Sequence, residues 1–132
     1  TVRRASKIIT VSEFSRQRIL ATYDVAPESI HVIYNGVSQG FRPIPASTSY
    51  TRVNQRFGVN WPYVLSVGDL QPRKNHLGLI EAFAQLLREN PTLPHHLLLV
   101  GKPTWFAPRV YECARASGFV ERIHFTGFVD DE

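Results

Sequence analysis

Short apolar runs and segments of helical period alternate along this chain, and that alternation restricts its fold more than any single residue does. Lys7-Ile8-Ile9-Thr10-Val11 is rich in β-branched residues and reads as a buried strand. Ser12 then stands where a helix cap belongs and Glu13 suits a first turn. Residues 13–23 therefore read as a helix that presents Phe14, Ile19, Leu20 and Tyr23. Ile30-His31-Val32-Ile33-Tyr34 is a second strand with His31 on its solvent side, ended by Asn35-Gly36, a pair that tolerates positive φ. Tyr63-Val64-Leu65-Ser66-Val67 is a third strand, expected to be buried, that stops at Gly68. In residues 76–89, Leu79, Ala82, Phe83, Leu86 and Leu87 recur at helical spacing until Asn90-Pro91. His96-Leu97-Leu98-Leu99-Val100 follows as a buried strand ending at Gly101-Lys102. Val110, Cys113, Ala114 and Ser117 mark one more helix, closed at Gly118, and residues 122–127 form a last short strand. Strands separated by helices join through crossovers rather than hairpins, which makes the sheets parallel. The expected class is α/β, built of parallel β-α-β units.

One stretch breaks the pattern. Between Val37 and about Gly58, Gly40, Pro43 and Pro45 are followed by Ser47-Thr48-Ser49, and no hydrophobic period is read there; a linker or surface excursion is expected. Bulk numbers fit an ordinary soluble domain: 132 residues, 43% apolar and 20% charged. No apolar run is long enough to cross a bilayer, and no signal-peptide pattern opens the chain. The net charge is +4, and the basic groups Arg3-Arg4-Lys7, Arg16-Arg18 and Arg73-Lys74 lie well apart, without the interleaved aromatic residues of nucleic-acid binders. That argues against nucleic acid and for anionic small ligands or a membrane surface. A lone cysteine, Cys113, excludes an internal disulfide, fits a reducing compartment and falls on an apolar helix face as inert core. Methionine is absent; residues 1–6 read as the tail of a helix, and Val129-Asp130-Asp131-Glu132 as the first turn of another. A piece of a larger protein is the expectation.

The most suggestive chemistry lies between Gly68 and Asn75. There a strand ends, a short polar loop carries Arg73-Lys74, and a helix begins. Ligands of open α/β sheets collect outside the carboxyl ends of the strands. Arginine offers a planar fork for phosphate oxygens and lysine a mobile point charge, so the pair suits a diphosphate. Taken alone, Arg73-Lys74 is explained more simply as a solvated basic loop. Other candidates are weaker. His95-His96 point to opposite faces of a strand and read as a surface turn rather than a metal site. Trp105-Phe106, after Pro103, reads equally as a lip over a cleft or as a packed loop. No Asp-X-Asp metal motif is present, and neither a metal nor a cofactor is expected.

The order of the motifs adds what no single one supplies. Ile8-Ile9-Thr10-Val11-Ser12, Ile33-Tyr34-Asn35-Gly36-Val37, Val67-Gly68 with Pro72-Arg73-Lys74-Asn75, Leu99-Val100-Gly101, and Phe125-Thr126-Gly127-Phe128-Val129 succeed one another along the chain. Together they resemble the middle of a retaining glycosyltransferase of GT-B architecture, the group called glycosyltransferase family 4. That architecture sets two Rossmann-like domains across a cleft. The resemblance implies that residues 1–38 end the acceptor-side N-terminal domain, 39–58 connect the domains, and 59–132 open the nucleotide-sugar donor domain. It implies that Arg73 and Lys74 act catalytically on the donor diphosphate. Gly68, Gly101, Lys102, Phe128 and Val129 would line the donor site, with Phe128-Val129 beside the base. The implied partners are a nucleotide-sugar donor and a glycan or lipid-linked acceptor, for a cytoplasmic parent compatible with a membrane-peripheral position. The family's paired glutamates would lie downstream of Glu132, so the piece alone is expected to be inactive, and its unpaired strand edges to favour self-association. The rival readings are a non-catalytic phosphate-binding Rossmann-like module, which lacks a glycine-rich phosphate loop here, and a weak nucleic-acid binder.

Overall fold

The computed structural model describes residues 2–130; Asp131 and Glu132, the second half of the acidic first turn expected over 129–132, lie outside the described residues. The chain divides into two units, Thr1–Pro45 and Ala46–Glu132.

In the first unit a short 3-10 turn, Val2–Arg4, stands where the tail of a helix was expected. Strand β1 (Ile8–Thr10), helix α1 (Glu13–Thr22) and strand β2 (Ile30–Val32) then form one β-α-β unit. β1 and β2 pair in parallel, with Ile8 opposite Ile30 and Thr10 opposite Val32. Ser12 caps α1 from an extended backbone, its Oγ accepting from the Ser15 N–H at 3.1 Å. The expected burial does not follow. Only Thr10 and Ile30 are buried among the described residues of this unit, while Ile9 is 68% exposed and Phe14 74%. Two short strands and one helix leave most apolar side chains without a second layer to pack against.

The second unit carries strands β3 (Tyr63–Val67), β4 (His96–Val100) and β5 (Ile123–Gly127), all parallel and in the order β3-β4-β5. Helices α3 (His76–Glu89) and α4 (Ala107–Ala116) form the crossovers. They bury Ile80, Phe83, Leu87, Val110 and Ala114 against Leu97, Leu99 and Ile123, which share one face of the sheet. Leu70 and Phe106, from the loops above, complete that core. These are parallel Rossmann-like units, as the alternation in the sequence predicts.

Two expectations are corrected here. The first concerns residues 46–57, which form helix α2 (Ala46–Phe57) inside the stretch read as a linker. Tyr50, Val53 and Phe57 do recur at helical spacing, hidden among serine and threonine, and Gly58 ends the helix at φ 67°. The second concerns β3. It is a strand, but Leu65 and Val67 are exposed: β3 is the edge of the described sheet, and on its second face α2 and the residues after β5 leave an open cavity over these side chains.

Candidate functional site

The parallel register brings the carboxyl ends of β3, β4 and β5 to one edge, and each ends in a glycine at positive φ: Gly68, Gly101 and Gly127. The ladder continues past the strands. Gly68 donates to the Val100 carbonyl and Gly101 to the Gly127 carbonyl, both at 2.8 Å. Leu70 donates to Lys102 O at 3.0 Å, the Thr104 hydroxyl donates to Leu70 O, and Asp69 Oδ1 accepts from the Lys102 N–H at 3.0 Å. The loops after β3 and β4 are thereby laced together, which holds their side chains in fixed relation. Gly101 makes the close approach possible: a β-carbon there would sit 2.2 Å from the Gly68 carbonyl oxygen.

Arg73 and Lys74 lie on a 3-10 turn, Pro72–Lys74, followed by Asn75 in the left-handed conformation at φ 51°. This turn folds Lys74 back over the end of β3, so that a β-carbon on Gly68 would meet Lys74 Cε at 3.0 Å and Nζ at 3.4 Å. Arg73 Nε donates to Gln71 Oε1 at 3.1 Å, which fixes the guanidinium while leaving it exposed. Lys102 places Nζ 4.6 Å from the centre of the Phe128 ring. Among the described residues, Arg73, Lys74 and Lys102 have no carboxylate partner; the ion pairs are Arg16–Glu13, Arg56–Asp130 and Arg115–Glu112. Three cations at one strand edge, with no carboxylate paired to them among the described residues, suit a polyanion.

Of the residues singled out from sequence, Gly68, Arg73, Lys74, Gly101, Lys102 and Phe128 share this edge. Val129, next to Phe128, lines a cavity of about 270 Å³ on the second face of the sheet, with Leu65, Val67, Leu98 and Val100 and with Val53 and Phe57 of α2. Sequence reasoning passed over Asp69 and Thr104, which lace the loops, and His76. The first residue of α3, His76 is buried and its Nδ1 has no hydrogen-bond partner. Burial and the neighbouring Lys74 hold its imidazole below the ordinary range, so it adds no charge beside Lys74 at neutral pH. Burial likewise raises the Cys113 thiol, with Glu81 adding to it, as fits a cysteine packed against the core. Among the described residues no group of three histidine, cysteine or acidic side chains is placed to hold a metal, and no helix is long and apolar enough to cross a membrane.

Residues 61–132 match the family described as glycosyl transferases group 1, and residues 1–40 the one described as glycosyltransferase family 4. Among curated proteins, the chain is 29% identical to the O-antigen chain mannosyltransferase B of Escherichia coli, over 97% of this chain and 33% of that protein. It is 26% identical to the mannosylfructose-phosphate synthase of Agrobacterium fabrum, over 98% of this chain and 30% of that protein. Among solved structures, that of Anabaena HepE in complex with UDP and glucose has a TM-score of 0.76 at 26% identity, over 98% of this chain and 35% of that one. A glycosyltransferase from Rickettsia africae has a TM-score of 0.77 at 24% identity, over 96% of this chain and 34% of that one, and shares the fold. The chain thus spans about a third of the length of the curated relatives it matches.

Proposed function

The chain belongs to the glycosyl transferases group 1 family, and we propose on that ground that residues 59–132 open the donor domain of an enzyme that moves a sugar from a nucleotide sugar to a glycan or lipid-linked acceptor, with retention. Residues 1–38 then belong to the acceptor-side domain and residues 39–58, which include all of α2, to the connection. The reaction runs in the cytoplasm, at the membrane surface where the acceptor is lipid-linked.

The observation that carries this reading is the cationic strand edge. Lys74 is folded over Gly68, Arg73 stands next to it, and neither has a carboxylate partner among the described residues. When the glycosyl bond breaks, negative charge gathers on the departing diphosphate. Cations already held in place stabilise that charge more than they stabilise the bound donor, which is the requirement for catalysis rather than binding alone. Arg73 supplies paired donors, Lys74 a charge above the end of β3, and Lys102 with Phe128 a flat cationic surface for the nucleotide. Relatives support the donor class: the HepE structure holds UDP and glucose, and the curated neighbours include mannosyltransferases.

Calorimetric titration with UDP and GDP tests the assignment. The unaltered chain is expected to bind a nucleoside diphosphate, and Arg73→Ala and Lys74→Ala each to weaken it about tenfold or more, the loss expected for one charge-assisted contact. Equal affinity in all three proteins would remove Arg73 and Lys74 from the site.

A further inference from the structure

At the opposite end of the same sheet, three aromatic rings form a cluster that the donor site does not use. His96 opens β4 and His124 is the second residue of β5; Leu98, not His96, lies opposite His124, so the two histidines are diagonal neighbours on the second face. Their imidazoles lie 5.0 Å apart between centres, with His96 Nδ1 2.7 Å from His124 Nε2. Trp61, just before β3, stacks on both, at 4.2 Å from His96 and 4.5 Å from His124. The surface turn expected at His95-His96 is thus replaced, at His96, by a half-buried ring stack.

We propose that His96 and His124 form one proton-binding latch: their shared N–H···N bridge holds Trp61 across both rings, and double protonation releases it. A contact of 2.7 Å between ring nitrogens needs one N–H and one lone pair. Two neutral rings meet that need, and so does one imidazolium beside a neutral ring. Two imidazolium rings do not, because N–H would face N–H between adjacent positive charges. A single added proton is tolerated, since the Trp61 indole face attracts a cation. The second breaks the stack.

The surroundings set the direction. Burial, the Arg122 guanidinium and the His124 ring hold His96 below the ordinary histidine value of 6.5. Burial lowers His124 as well, against an opposing pull from Glu121. On the strand side Tyr63 meets Trp61 edge-on. On the helix side Phe57 lines the same depression as His124, and Arg56 of α2 is engaged by Asp130. Release of Trp61 has a reach beyond its own ring. Its neighbour Asn60 accepts from Tyr50 of α2 at 3.2 Å, so loosening this segment loosens α2 over the second face of the sheet. A metal fits less well: 2.7 Å is shorter than the roughly 3.3 Å between two nitrogens on a tetrahedral zinc.

A titration of the whole chain from about pH 8 to about pH 4.5 tests this, following the histidine ring signals by NMR and the emission of Trp61 in Trp105→Phe, which leaves one indole. His96 and His124 are expected to shift together, with a first midpoint below 6.5 and a second, separate one at lower pH, where Trp61 emission also changes. His124→Gln, which keeps a hydrogen-bonding partner but cannot titrate, is expected to abolish the Trp61 change. Independent titration of the two rings near 6.5 with unchanged Trp61 emission would overturn the latch. So would displacement of the bridging proton by equimolar zinc at neutral pH. The NMR arm needs no substitution, so it decides even where Trp105→Phe does not fold.

Discussion

A methyl group added at Gly101 would stand 2.2 Å from the Gly68 carbonyl oxygen, whereas one added at Gly68 would meet the flexible stem of Lys74 at 3.0 Å. Both glycines adopt φ values that other residues rarely take, 154° and 153°, so either alanine carries backbone strain of about 1 kcal/mol or more. Only at Gly101 is the obstacle backbone that cannot turn aside. Gly101→Ala is therefore expected to lower stability by about 1–3 kcal/mol more than Gly68→Ala, read from urea unfolding. Gly68→Ala should instead show in nucleotide affinity, because the methyl pushes Lys74 off the strand end. The sequence marks both glycines as strand ends. That one needs its space for a neighbouring backbone and the other for a lysine stem depends on how β3 and β4 lie together.

The elements show what periodicity reveals and where it fails. The helix read over residues 76–89 matches α3 because its apolar stripe is long and unbroken, and Ser12 was legible as the cap of α1. α2 was missed because three apolar residues among serine and threonine gave too faint a stripe. No residue of α1 is buried, so its cap matters more than it would in a packed helix. Ser12→Ala is expected to cost about 1 kcal/mol, seen as lost helical signal from residues 13–22 by NMR. At the start of β4 and β5, pH acts on the sheet. Because His96 and His124 are held below 6.5, the unfolded chain binds more protons than the folded one just beneath that value. Stability of the second unit is then full above 6.5 and falls as the pH drops towards the folded midpoints. Urea midpoints that do not decrease from about pH 7.5 to about pH 5.5 would contradict this sign.

Over the whole molecule, the two units differ in how much they bury. The second holds a continuous core from Leu70 to Ile123, while the first has Thr10 and Ile30 as its buried residues among those described. Amide exchange is therefore expected to be faster throughout residues 1–45 than in β4 and α3, and comparable protection in both units would refute it. The α/β class, the parallel strands, most element boundaries and the basic loop after β3 could be read from the chain alone. Each rests on period, turn chemistry or order, all of which are local properties. Burial could not be read, because the period of a strand tells which residues share a face but not whether anything covers it; Leu65 and Leu98 share one face, and only Leu98 is buried. Nor could the ring stack, whose histidines lie 28 residues apart in sequence and meet only through the register of β4 and β5. The cationic edge belongs to both levels: Arg73 and Lys74 were legible as chemistry, and the lacing of two loops by Asp69 and Thr104 gives that chemistry a fixed place.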